Sequence, residues 1–510
     1  MRIEKSIKNV KYSIIGQIFA LIISFVQRTI FIKYLSTELL GINSLFTNIL
    51  TILSLAELGI GTSITYYLYK PLYENDKEKI TKIMNFFKKV YISIGFFIFI
   101  AGLLIIPFLR FFITDINSYK NIYWIYILFV ANTSISYFFS YNRTLIIADQ
   151  KKYVDVLYKY GSYVLLNIFQ IVFIIFTKNY ILFLILQIIF TFLENYFIYK
   201  KVLKDYPYIR NSSLKLENIH KKEILKNSKA MLLHKVGWVV VSSTDNLLIS
   251  KFLNIALVGI YSNYNLIISA LNTIIMQIYN AITASIGNLH ASEETNTKKQ
   301  EDIFCKIDFF TFFIFAFSTT CLISLFNSFI ELWIGKDFLL NTSTIIIISI
   351  SFYINGMRKS VLAFRDSMGL FYIDRYKSIL EALLNIVFSI ILVRFLGING
   401  IFLGTIISSL ISSSWIEPYV LYKYGFKMSP KKYFILFIKR VLVLATMICI
   451  TYYINSRISI NIKVIEFTLK LIITISLSII SLLIIFAKDN NLKYFINLFK
   501  KKMKGFSKLD

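Results

Sequence analysis

Acidic residues are scarce in this chain of 510 residues: 28 Asp and Glu stand against 56 Lys and Arg. Charge of either sign is sparse as well, at 16% of residues, where a soluble domain carries about 25%. Three cysteines, Cys305, Cys321 and Cys449, cannot staple a chain this long and form no CxxC pair. The three histidines, His220, His234 and His290, lie far apart, so zinc, haem and Cys–His nucleophile patterns are missing, and neither a metal nor a cofactor is expected. With 18 Gly and 5 Pro, a collagen-like or low-complexity chain is excluded.

What remains is apolar. Hydrophobic residues make up 56% of the chain and aromatics 17%, with a mean hydropathy of +0.65. A net charge of +28 alone would suggest a nucleic-acid partner. Combined with this hydropathy it points instead to an all-α, multi-pass membrane protein whose cations sit in loops against anionic membrane lipid, with no nucleic acid bound. The basic N-terminus (Arg2, Lys5, Lys8, Lys11) and the apolar run after it look like a signal peptide. That run continues past Gln17 and Arg28 without a small-residue cleavage site, so it reads as a retained first span.

A membrane helix needs about 20 mostly apolar residues. Fourteen runs qualify: 12–33, 41–68, 90–113, 122–147, 156–177, 180–199, 229–252, 257–286, 307–330, 342–364, 377–395, 398–422, 434–454 and 464–487. With the N-terminus inside, and cations at span ends assigned to the adjoining side, 44 Lys and Arg fall on the inner side, 9 on the outer side, and 3 (Arg28, Arg143, Lys470) are left within spans. That asymmetry places both termini in the cytoplasm. Two inner segments have amphipathic spacing suited to the membrane surface: Ile3, Ile7, Val10, Ile14, and Leu492, Phe495, Phe499, Met503, Phe506. Pro107, inside the third span, is expected to kink it.

The chain also repeats. KYLSTELLGINS (33–44) and KFLNIALVGIYS (251–262) share Lys33/Lys251, Leu35/Leu253, Leu39/Leu257, Gly41/Gly259, Ile42/Ile260 and Ser44/Ser262. Each joins an outward-going span to an inward-going one, at an offset of 218 residues or six spans. An even offset makes the copies parallel, two six-helix lobes related by a pseudo-twofold axis along the membrane normal. A third version of the turn is RFLGINGIFLG (394–404). The expected organisation is an N-terminal lobe (1–199), a basic cytoplasmic linker (200–228), a C-terminal lobe (229–422), two extra spans (423–487) and a basic amphipathic tail (488–510).

Several segments carry a family likeness: LSLAELGIGTSITYYLYKPL (53–72), TDNLLISKFLNIALVGIYSNYNLIISA (244–270), ASIGNLHA (284–291), ELWIG (331–335), FRDSMGLFYIDRYK (364–377), INGIFLGTIISSL (398–410) and WIEPYVLYK (415–423). They occur in the order found in polysaccharide-unit flippases of the Wzx type, which the chain resembles over roughly 1–430. These belong to the multidrug/oligosaccharidyl-lipid/polysaccharide exporter superfamily. The resemblance implies a MATE-like fold in a bacterial plasma membrane, alternating access, and an undecaprenyl-diphosphate-linked oligosaccharide as cargo. A polysaccharide polymerase or glycosyltransferases would then be further partners. An ion-coupled multidrug or small-metabolite exporter is the alternative. A membrane glycosyltransferase or polymerase would need a large outer loop or a catalytic acidic motif, and the sequence has neither; an enzyme is not expected. No GxxxxGK[ST] motif exists for ATP-driven transport by this chain alone.

Ionisable residues inside spans are costly and mark candidate sites. Arg28 stands about 7–8 Å below the outer end of span 1 and suits diphosphate oxygens, unless it snorkels outward. Asp245 stands about 10 Å below the outer end of span 7, and the repeat sets Asn246 opposite Arg28. Arg28 and Asp245 are therefore candidates for an outer gate. Glu57, about 24 Å from the outer end of span 2, is either a protonatable coupling carboxylate or a structural one. Arg358, Arg365, Asp366, Asp374 and Arg375 are dense enough near the inner ends of spans to form an inner gate or headgroup-access site.

Overall fold

The computed structural model describes residues 2–57, 60–113, 116–210, 213–217, 236–237, 239–291 and 297–506, of which 2–8, 10, 56, 62–63, 281, 284–285, 287–291, 371 and 499–506 are described by their backbone alone. Of the linker, 211–212 and 218–228 thus lie outside the described residues, as do the side chains of Ile3, Ile7, Val10, Phe499, Met503 and Phe506.

Among the described residues the regular secondary structure is all helical, with no strand. The first part runs α1 (Arg2–Tyr34), α2 (Thr37–Leu53), α3 (Ile60–Glu74), α4 (Lys77–Ile105), α5 (Leu109–Phe112), α6 (Ile122–Phe138), α7 (Tyr141–Ala148), α8 (Lys152–Thr177) and α9 (Tyr180–Asp205). After α10 (239–252) come α11 (Ile255–Ala291), α12 (Thr297–Ile334), α13 (Thr342–Ser367), α14 (Lys377–Leu396), α15 (Ile398–Ile411) and α16 (Ser413–Val420). The last three are α17 (Lys431–Ser456), α18 (Lys463–Ile485) and α19 (Asn490–Phe506). Side-chain caps start several of them: Asp76 accepts from the amide of Lys79 at 2.9 Å, and Asn254 from that of Leu257 at 2.7 Å.

Eleven of these helical stretches are long and apolar enough to cross a membrane, and twelve if the bent pair α6–α7 is one span. Fourteen is more than this count. Span 2 of the sequence reading is interrupted: α2 stops at Leu53, a 3₁₀ turn occupies Ser54–Glu57, and helix resumes at Ile60. Span 7 is described only in part. Pro107 sits in a 3₁₀ turn, Ile106–Phe108, that separates α4 from α5. Pro418 lies inside α16, and the chain continues as a π-helical turn over Leu421–Phe426.

Two compact units are present, Met1–Ser262 and Asn263–Asp510. In the first, Ile64, Leu68, Ile80, Phe87 and Leu145 form part of a buried cluster, while Phe96, Phe97, Ile100 and Leu104 of α4 face outward. This unit also holds both copies of the repeated turn. A Cβ on Gly41 would stand 2.0 Å from the carbonyl oxygen of Ile255, and one on Gly259 would stand 2.2 Å from that of Thr37. Because 255 and 259 are 37 and 41 plus the repeat offset, these contacts are reciprocal, as twofold-related copies require. They also explain why residues 255–262 pack with the first unit.

In the second unit, Phe304, Phe364, Tyr422, Phe426 and Tyr433 stack around one centre. The hairpin α14–α15 closes tightly because Gly400 and Gly404 let the chain approach Leu392 and Ser389. The two added spans are joined by polar pairs. Arg440 of α17 donates to Asp308 of α12, and Ser360 of α13 donates to the same carboxylate at 2.7 Å. Asn455 of α17 donates to Thr474 of α18 at 2.7 Å, both buried. Replacing Thr474 by Val should lower stability by about 1 kcal/mol, read as a small drop in the unfolding midpoint in detergent.

Candidate functional site

Arg28 lies two turns from the end of α1, half-buried. Its Nη1 donates to Ser262 Oγ at 2.9 Å, and that hydroxyl donates on to the carbonyl of Gly259 at 2.7 Å. Tyr163 and Tyr180 are within electrostatic range of the guanidinium. Among the described residues no carboxylate pairs with Arg28, so most of its five N–H donors are available. Asp245 lies on α10 close to Tyr261. Arg28 and Asp245 thus flank adjacent residues of α11, 262 and 261, without an ion pair between them here.

Glu57 closes the 3₁₀ turn of span 2, where it accepts a hydrogen bond from Tyr91 Oη at 3.0 Å. Tyr137 of α6 lies beside the same carboxylate. The break in the helix explains the placement, since a carboxylate at a helix end is held by side chains from neighbouring helices.

The inner-end candidates fall into a larger buried network. Arg358 of α13 grips Glu417 of α16 with two hydrogen bonds, Nε to Oε2 at 3.0 Å and Nη2 to Oε1 at 2.8 Å. Its Nη1 also reaches Glu381 of α14 at 2.9 Å. Lys377 donates to Glu417 as well, and Ser413 to Glu381 at 2.5 Å. Arg365 holds Asp374 at 2.6 Å and the more exposed Asp366 at 2.7 Å. Arg375 stands apart, its guanidinium over the ring of Tyr372 at 4.0 Å. The structure therefore brings together Arg358, Arg365, Asp366 and Asp374 but sets Arg375 on tyrosines.

Glu417, Glu381 and Lys377 complete this network; the position of Glu381 and Glu417 near inner span ends suits interfacial ion pairs, whereas the part of Lys377 and the specific partners carry no sequence signal of their own. A smaller version exists in the first unit. Arg143 of α7 donates to Asp155 of α8 at 2.8 Å, to Glu194 of α9, and to Asn195 at 2.9 Å. In each unit one arginine from the fourth helix of a six-span set gathers acids from the fifth and sixth. The six-span repeat was the signal that could have found it: Arg143, Asp155 and Glu194 stand at nearly the repeat offset from Arg358, Glu381 and Glu417. Beyond α9, Tyr206 donates to Asp149 at 2.6 Å; burial and that carboxylate push its phenol above the ordinary range.

Such an arrangement fixes each set of three helix ends as a rigid group, and among the sequence candidates leaves Arg28, on Ser262, and Arg375, on tyrosines, as the arginines without a carboxylate partner among the described residues. No family profile matches the chain, and no curated protein does. Solved structures do. The MurJ lipid II flippase in an inward closed conformation matches with a TM-score of 0.66 at 18% identity, over 93% of this chain and 99% of that one. An inward-facing multidrug resistance MATE family transporter of the MOP superfamily matches with a TM-score of 0.64 at 15% identity, over 81% and 96%. A MOP superfamily transporter from Pyrococcus furiosus gives 0.55 at 15% identity, over 81% and 93%. The protein therefore has the all-helical, multi-pass membrane fold that MATE transporters and the MurJ lipid II flippase share.

Proposed function

We propose that the protein is a flippase that moves an undecaprenyl-diphosphate-linked oligosaccharide from the inner to the outer leaflet of a bacterial plasma membrane for cell-surface polysaccharide biosynthesis. The observation that carries this reading is Arg28: a half-buried guanidinium within a span, hydrogen-bonded to Ser262 and without a carboxylate partner among the described residues. An unpaired planar cation at that depth suits the oxygens of a diphosphate. Charges and hydroxyls of such a headgroup cannot cross hydrocarbon unaided, because they would lose water without replacement.

In this reading the two six-helix lobes alternate access, with the termini cytoplasmic. Arg28 exchanges Ser262 for diphosphate, and in the outer-closed state for Asp245. The Arg358–Glu417 network belongs to the inner gate. Glu57 is the coupling or structural carboxylate of span 2. A multidrug exporter of organic cations is less well supported, since Arg28 would repel such cargo. The likeness to MurJ also spans more of this chain than the likeness to the MATE transporter.

The test is transport by purified protein in liposomes, read as lipid-linked oligosaccharide exposed on the far leaflet. Loss of a charge-assisted hydrogen bond, about 1.5–3 kcal/mol, should lower the rate of Arg28→Ala by about ten- to a hundredfold, with Arg28→Lys intermediate. Wild-type transport by Arg28→Ala would remove the basis of the proposal.

A further inference from the structure

A cavity of about 840 Å³ opens in the second unit between α12, α17, the end of α18 and the start of α19. Its floor is the buried pair Asp308–Arg440. Lys432, Lys439 and Lys488 line it higher up, together with the first residues of α19, Asn490 and Asn491. Another wall is apolar: Leu442 and Val443 of α17, with Ile485 and Phe486. Leu442 and Ile485 are also exposed outward, so the cavity is continuous with an apolar outer surface.

The acids of this cavity are already engaged. Asp308 takes hydrogen bonds from Arg440 and Ser360. Asp302 accepts from Lys306 at 2.6 Å. Asp489 accepts from the amide of Asn491 at 2.7 Å and so caps α19. Glu301 is 4.0 Å from Lys432 and within 3.7 Å of the Cys305 thiol. Lys439 and Lys488, by contrast, are exposed and have no ion pair or hydrogen bond among the described residues.

We infer that this cavity binds a phosphate-headed lipid, its phosphate between Lys439, Lys488 and the start of α19 and its chain along Leu442 and Ile485. Two cations beside an apolar wall recognise an anionic amphiphile better than a free anion or a zwitterion. The basic tail would then be held in place by the lipid it caps. The lipid has two sources, a membrane phospholipid or a phosphorylated prenyl carrier.

Binding to full-length protein in nonionic detergent tests this, with dihexanoyl phosphatidylglycerol, farnesyl diphosphate, dihexanoyl phosphatidylcholine and inorganic phosphate as probes. Phosphatidylglycerol, farnesyl diphosphate or both should bind, and which one binds tighter identifies the source. K439Q/K488Q should weaken that binding about tenfold to thirtyfold, K439R/K488R should retain it, and K120Q/K204Q, at exposed lysines of the first unit, should leave it unchanged. Equal binding of phosphatidylcholine, full binding of inorganic phosphate alone, or a K439Q/K488Q variant that binds like wild type would overturn the inference. The readout is binding rather than transport, so a failure here is separate from a failure of the flippase reading.

Discussion

Glu417→Ala should destabilise the protein by about 3–5 kcal/mol, because it leaves buried cations without their counter-charge. Glu417 is fully buried, held by Nε and Nη2 of Arg358 and by Lys377, with Arg365 4.0 Å away. Removing it leaves Arg358 with Glu381 as its remaining carboxylate, beside the neutral Asn355 and Ser409, and Lys377 with Asp374 at 3.6 Å. The lost energy is mostly the penalty on the orphaned cations rather than the net worth of the pair. Two companions separate these terms. Glu417→Gln keeps the volume and one acceptor, so it should fall between the alanine variant and wild type. Arg358→Met combined with Glu417→Leu removes charge from both sides, so its effect should be smaller than the sum of the single changes. Thermal unfolding in detergent reads all three, with the alanine variant shifted down by about 3–5 °C. A shift within a degree of wild type would mean the network is solvated rather than buried.

How much of this was legible beforehand differs from feature to feature, for physical reasons. Arg28 could be singled out because a charge inside an apolar run is rare. The repeat at Gly41 and Gly259 was legible because a tight helix crossing demands a particular residue on each side. The Arg358–Glu417 bond spans 59 residues and three helices, and no local pattern encodes such a pairing. The break in span 2 was hidden for a different reason. Residues 41–68 are apolar enough to read as one run, and hydropathy carries no information about a change from α-helical to 3₁₀ hydrogen bonding at Ser54–Glu57. Orientation rests on the charges of the loops, which packing within a unit does not report.

Gly41→Ala and Gly259→Ala are the second pair of large expected effects, and their value lies in being coupled. The neighbour of each glycine is a backbone carbonyl, 2.0 Å and 2.2 Å from the added Cβ, so no side-chain rotation can relieve the clash. The helices must move apart, with a cost of about 1–3 kcal/mol per alanine and more for valine. A Cβ on Gly259 would also stand 3.2 Å from the amide nitrogen of Gly41, so both substitutions open the same crossing. Once the first has separated the helices, the second meets less resistance, and the double variant should be less destabilised than the sum of the two. Gly161 supplies the control: it lies within α8 with nothing within 4 Å of its added Cβ. Gly161→Ala should be neutral or stabilising by up to about 1 kcal/mol, through helix propensity alone. Fully additive losses at Gly41 and Gly259 would show two independent sites and would remove the reciprocal contact that supports the pseudo-twofold. Equal, subadditive losses would make this crossing the physical link between the two copies of the repeat.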